Sequence, residues 1–367
     1  MKVFDYPADR REALFTESFL TRVPIENINN IISTYKSTLG ELETIENSNG
    51  QYDLKFEKGS ASSYISFDAE GKISGFWLGS WLLEKDSLEK IVSELKGLDS
   101  SISLCISKDD HPLFSLNGEE EMAVGSSFKL YVLKALYDKL ERKTWKKILW
   151  LKSDDISLPT GLLHKWPVGT PVTVKALANL MMAYSDNTAT DMLINLIGKK
   201  YLEKETSPKN RPFLTTAEAF NLKYGVSSAR QQDYITGDTR RKRKILEDFR
   251  SLRASANHLL ASTPKLIDEI EWFFSTAELA SLIYELREAE ELYKNPGLAS
   301  GADWYRAGYK GGSETGVLQY THLLQKSKNS PIYTFSLTAN NPEKGLSGYK
   351  ITEIASRLIS LIKFGRI

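Results

Sequence analysis

The chain has 367 residues, 41% hydrophobic and 26% charged, with a formal net charge of +1. That length admits two domains, or one large domain with an appendage, and a sizeable core; the near-neutral balance excludes a global electrostatic attraction to nucleic acid or an anionic membrane. A single cysteine, Cys105, excludes an internal disulfide framework, and His111, His164, His258 and His322 lack metal-ligand spacing, so no metal and no cofactor is expected.

No stretch approaches the ~20 apolar residues of a membrane span. The opening "MKVFDYPADRREALF" carries charges where the apolar core of a signal peptide belongs. As written the chain reads as cytoplasmic; a periplasmic or secreted protein is expected if a signal was removed.

In chain order, "PIENINNIISTYKSTLG" places Ile25, Ile28, Ile32, Tyr35 and Leu39 on one helical face, with Pro24 at the start and Gly40 at the stop. The period then changes to two in "QYDLKFE", "SSYISFD" and "KISGFWLGSW", which predicts an antiparallel meander. A helix follows in "DSLEKIVSELKG", capped by Asp86 or Ser87 and ended by Gly97. A domain boundary is placed just before it, giving a small α+β domain over 1–84 and a second domain over 85–367. Strands are expected in "SISLCIS" and "PLFSLN", mostly helix from Val124 to about Leu292, and strands again in "WYRAGYKGG", "GVLQYTHLLQK" and "IYTFSLTANN". The closing "YKITEIASRLISLIK" predicts a helix with Ile351, Ile354, Ala355, Leu358 and Ile362 inward. Strands thus open and close the second domain, and helices fill its middle.

Three short segments carry chemistry. "AVGSSFKLYVLKAL" has Ser126 one helical turn before Lys129, at the head of an apolar helix. A lysine buried there loses affinity for its proton and becomes a base for the serine hydroxyl. Taken alone, this spacing reads as a helix cap beside a snorkelling lysine. "MMAYSDNTATDMLINLIG" adds Ser185, Asp186 and Asn187 between two apolar helices, and "RAGYKGGSETGV" adds Lys310, Gly311 and Gly312 on a strand.

SxxK, then SDN, then a Lys-x-Gly strand, in this order, resembles the serine β-lactamases and penicillin-binding proteins, over about residues 85 to 367. The resemblance implies an α/β (α+β) fold of the class A β-lactamase type: a five-stranded antiparallel sheet with flanking helices, beside an all-helical lobe. It implies that Ser126 is acylated, that Lys129 is its base, and that Ser185 passes a proton to the leaving group. Asn187 would hold Lys129 and the substrate amide. Lys310 would bind a substrate carboxylate and depress the pKa of Lys129. The N–H groups of Ser126 and Ser313 would form an oxyanion hole. Asp186, Gly311, Gly312, Ser313 and Thr315 are placed with the substrate-binding residues.

Two departures from that pattern stand out. Gly311 replaces the usual Ser/Thr of the third motif, with Ser313 or Thr315 as possible substitutes for its hydroxyl. No ExxLN segment supplies a deacylating Glu; in "KNRPFLTTAEAFNLKYG" Glu218 and Asn221 have the wrong spacing, and Glu218 reads as part of a solvated helix face. The sequence is also similar to a branch that joins an N-terminal steroid-isomerase-like (NTF2-type) domain to a class-A-like hydrolase, the branch of the cephalosporin esterase of the clavulanic acid cluster. The expected function is a serine acyl hydrolase on a small-molecule β-lactam or ester, with no nucleic-acid partner. The rival readings are a D,D-peptidase-like penicillin-binding enzyme and a non-catalytic β-lactam- or small-ligand-binding protein.

Overall fold

The computed structural model describes residues 2–48, 51–249, 263–299 and 301–367. His258 and the rest of 250–262 lie outside them. The chain divides into two compact units: Met1–Gly97 with Leu298–Trp304 and Thr352–Ile367, and Leu98–Gly297 with Tyr305–Ile351.

In the first unit, helix α1 (Ile25–Leu39) precedes strands β1 (Leu42–Ser48), β2 (Gln51–Phe56), β3 (Gly59–Phe67) and β4 (Ile73–Leu83), paired antiparallel in that order. Ile28, Ile32, Tyr35 and Leu39 are the buried stripe of α1, and they share a core with Leu54, Phe56, Ala61 and Ile65 of the sheet. Gly40 stops the helix at φ +84°, a conformation that favours glycine. β1 has no counterpart among the predicted elements. Its sequence LETIENS is rich in polar residues because it lies at the sheet edge.

Helix α2 (Leu88–Lys96) is capped by Ser87, whose Oγ accepts from Lys90 N at 3.3 Å. The expected boundary near residue 84 falls inside this unit, because Arg357 ties residues on both sides of the α2 start to the C-terminal helix. Its guanidinium donates to Asp86 at 2.7 and 3.0 Å and to Glu94 at 2.8 Å. Arg357 and Asp86 are both buried, so their pairing is charge-assisted in a poorly hydrated place.

The second unit holds strands β5 (Ser101–Lys108), β6 (His111–Leu116), β7 (Met122–Ala123), β8 (Ile148–Trp150), β9 (Pro171–Thr173), β10 (Phe273–Phe274), β11 (Arg306–Glu314), β12 (Val317–Gln325) and β13 (Ile332–Asn340). Five of them form one antiparallel sheet in the order β11-β12-β13-β5-β6. Chain-terminal strands therefore pair with the opening strands of the unit, as the sequence predicts. β5 is buried continuously from Ile102 to Ser107, as a central strand covered on both faces must be. Cys105 is part of that run, and burial pushes its thiol pKa up, so it is an inert core residue.

The helices between are α3 (Lys129–Lys139), α4 (Val174–Ala183), α5 (Asn187–Ile197), α6 (Lys199–Glu205), α7 (Thr216–Tyr224), α8 (Ser228–Thr236), α9 (Thr239–Asp248) and α10 (Thr276–Glu285). α10 packs on β5, β12 and β13, and α3 packs on α5. Their shared core includes Leu130, Leu133, Leu136, Leu177, Met181, Leu193 and Leu279. The chain ends in helix α11 (Gly348–Lys363), in which Ile351, Ile354, Ala355, Leu358 and Ile362 are all buried. No described helix is long and apolar enough to cross a membrane.

Candidate active site

Ser126 sits in a single 3-10 turn, Gly125–Phe128, that runs directly into α3. Gly125 takes φ +48°, and a side chain there would press to 3.3 Å from Ser313 N. The turn is held from several directions. Val124 N donates to Trp272 O at 3.0 Å, and Asn340 exchanges two hydrogen bonds of 3.0 Å with the backbone of Ala123. Phe128 is buried and stacks on Trp272 at 4.0 Å. Ser127 is buried too, and its hydroxyl donates to Gln319 Oε1 of β12. Gln319 Nε2 in turn donates to Thr321 Oγ1 at 2.6 Å and Ser336 Oγ at 2.8 Å. Among these neighbours Ser126 alone keeps partial exposure.

Lys129 is wholly buried, so the apolar run after it does place a lysine where charge is costly. Burial pushes its pKa down from 10.5 to about 7, against the opposing pull of the Asp191 and Asp186 carboxylates. Its Nζ lies 2.6 Å from Ser185 O, 2.8 Å from Asn187 Oδ1 and 3.2 Å from Ser185 Oγ. Helical spacing predicts a bond between Ser126 Oγ and Lys129 Nζ, but these contacts turn Nζ toward Ser185. The 3-10 turn at Ser126 changes the geometry on which that expectation rests.

Ser185 joins α4 to α5 with φ +53°, a strained conformation for a residue with a side chain. Its neighbours hold it there. Asp186, expected among the substrate-binding residues, is fully buried and serves the loop instead. One carboxylate oxygen caps α5 through Ala189 N at 2.9 Å; the other accepts from Leu162 N at 2.6 Å and Leu163 N at 2.8 Å. Asn187 is fixed at both ends of its amide, accepting from Lys129 and donating to Leu158 O at 3.0 Å.

Lys310 projects from β11 and is also buried. Its Nζ lies 3.1 Å from Ser185 Oγ and donates to Gly311 O at 2.5 Å. Ser185 Oγ therefore sits between two lysine amines. Burial, then repulsion from Lys129, push the Lys310 pKa well down. The expected effect of Lys310 on Lys129 is thus expressed mainly at Lys310, and burial governs Lys129.

Gly312 is required by close approach: a Cβ there would overlap Val124 O and reach 2.6 Å from Ser126 N. β11 thus runs against the backbone of the Ser126 turn, bringing Ser313 beside Gly125. Thr315 lies beyond β11, in the turn before β12. Arg306 pairs with Glu288 at 2.9 Å.

Glu218 is not merely a solvated helix residue. It closes a capping box at the start of α7, accepting from Thr215 N at 2.8 Å, and pairs with Lys199. Asp191, which sequence reasoning passed over, is the buried carboxylate below this segment. It accepts from Thr216 N at 2.7 Å, Thr216 Oγ1 at 2.8 Å and Ala217 N at 2.9 Å. Burial raises its pKa to about 6. The available signal was its place four residues after Asn187 on one helix. A cavity of about 390 Å³ opens on Asp191, Lys199, Glu218 and Arg243, and Ser126, Lys129, Ser185 and Lys310 do not line it. Among the described residues no group of three or more His, Cys, Asp or Glu is placed to hold a metal ion.

With this geometry in place, comparison with known proteins is informative. Residues 85–218 match the model of the β-lactamase enzyme family. The β-lactamase from Sphaerobacter thermophilus DSM 20745 superposes with a TM-score of 0.51 at 18% identity, covering 75% of this chain and 96% of that one. The β-lactamase from Francisella tularensis gives 0.51 at 16%, covering 76% and 99%. PBP-A gives 0.50 at 16%, covering 78% and 100%. No curated protein sequence matches. At these identities the structures share the fold. The family match thus covers residues 85–218, and the likeness to the solved structures shows a class A β-lactamase fold.

Proposed function

We propose that the chain is a serine acyl hydrolase that forms an acyl-enzyme on Ser126, with a β-lactam or an ester as acyl donor. The observation that carries this reading is the Lys129–Ser185–Lys310 chain beside a partly exposed serine. Lys129, half neutral near its pKa of about 7, takes the Ser126 proton. The freed alkoxide attacks the acyl carbonyl, and the Ser126 and Ser313 N–H groups face the resulting oxyanion. The leaving group departs with the proton of Ser185, which Ser185 regains from Lys129. Lys129 Nζ bonds Ser185 and Asn187 here, and its bond to Ser126 Oγ forms as substrate binds, since catalytic hydrogen bonds tighten in the substrate complex.

Deacylation is slow in this reading. Glu218 is committed to its cap and Lys199, and Asp191 to the backbone of α7, so neither is a free base for water. That favours a persistent adduct, nearer to a penicillin-binding protein than to an efficient β-lactamase. An esterase acting on β-lactam-like scaffolds is the finer form of the proposal. The helix-and-meander over residues 1–84 is proposed as an NTF2-type binding or packing module. Intact mass of the protein, followed over time with penicillin G and a p-nitrophenyl ester, tests the reading. An adduct mapping to Ser126 supports it, and acylation surviving in Ser126→Ala refutes it.

A further inference from the structure

We propose that the phenol of Tyr309 supplies the hydroxyl that Gly311 lacks, donating a hydrogen bond to a carboxylate of the acyl substrate beside Lys310. This rests on the acyl-transfer reading above and names the group that selects its substrate.

Residues 309 and 311 share one face of β11. A Cβ built on Gly311 would overlap the Tyr309 hydroxyl oxygen and stand 2.6 Å from Tyr309 Cζ. The phenol oxygen therefore lies about where a serine or threonine at 311 would put its own side chain. Position 311 is glycine because residue 309 already fills the space. Ser313 and Thr315, the substitutes suggested by the sequence, lie farther along the chain, and the side-chain atoms nearest the space above Gly311 are those of Tyr309.

The ring is held in place. It packs on His322 at 4.6 Å and lies 6.5 Å from Tyr320, and Gly297 leaves room for it. Burial raises the Tyr309 pKa, so the phenol remains a donor at neutral pH. Its hydroxyl makes no hydrogen bond to another described residue and is not one of the polar atoms sealed from solvent, so it is open to a ligand. Lys310 approaches the same peptide from the other side, its Nζ 2.5 Å from Gly311 O. Lys310 already serves Ser185 Oγ and Gly311 O, so a bound carboxylate needs a second donor. A carboxylate can accept from an amine and a phenol together, and it would restore the lysine charge that burial opposes.

The test uses the full chain carrying Ser126→Ala, so that binding is read without chemistry. Affinities for penicillin G and its methyl ester are measured by calorimetry, with and without Tyr309→Phe. Phenylalanine keeps the ring against His322 and removes only the oxygen. The acid should bind more tightly than the ester, and Tyr309→Phe should cut that preference about tenfold or more, as for a hydrogen bond to a charged group. An unchanged preference in Tyr309→Phe, equal binding of acid and ester, or no binding of either overturns the inference. The acyl-transfer reading is judged separately, by adduct formation of wild type with p-nitrophenyl acetate, which has no carboxylate.

Discussion

Acylation of Ser126 should switch on as pH rises through the Lys129 titration. Burial moves that amine from 10.5 to about 7. At a pH of about 7 roughly half of such an amine is neutral, against about one part in 3,000 for an exposed lysine. The gain in base form is on the order of 10³, or about 4 kcal/mol. The acylation rate should therefore climb about tenfold per pH unit below about 7 and flatten above it. The assay is a quenched single turnover, read by intact mass across about pH 5 to 9, at constant ionic strength. A flat profile, or one still rising toward the pKa of an ordinary lysine, would refute the argument from burial. The same shift has a sign for stability. The folded pKa lies below the unfolded one, so the unfolded chain binds more protons between about 7 and 10.5. Through that window the contribution of Lys129 to stability rises with pH, and below it the buried amine is a full cost.

Two further outcomes follow from the same geometry. Gly312→Ala would force β11 away from Val124 O and Ser126 N, so acylation should fall about 100-fold and melting should fall as well, because the crowded atoms are backbone; a wild-type rate would contradict the close approach. Lys223 is buried between Glu271, at 2.7 Å, and Glu314, whose pKa burial and Glu271 push up to about 8. Lys223→Met should cost about 3–5 kcal/mol in urea denaturation at neutral pH; an unchanged midpoint would contradict it.

Much of the architecture was legible because strand and helix periods differ. The α1 stripe, the β11–β13 strands and the α11 face follow directly from apolar spacing. β1 was not legible, since an edge strand with Glu43 and Glu46 carries no alternating apolar signal. The motif order singles out Lys129, Ser185, Asn187 and Lys310, and in the structure Lys129 contacts Asn187 and Ser185 while Lys310 contacts Ser185. What spacing could not give was the direction of each side chain. Asp186 belongs to the same three-residue motif as Ser185, yet its N-cap geometry buries it. The roles of Ser127, Asp191 and Tyr309 depend on partners far off in sequence or on a glycine's empty space, which no local pattern records.

The most direct measurement is the intact mass of wild type and Ser126→Ala after exposure to penicillin G, with peptide mapping of any adduct. The account predicts a lasting addition on Ser126 in wild type and none in the variant, whose circular dichroism should be unchanged. An adduct of equal yield in Ser126→Ala, or one mapped to another residue, would contradict it.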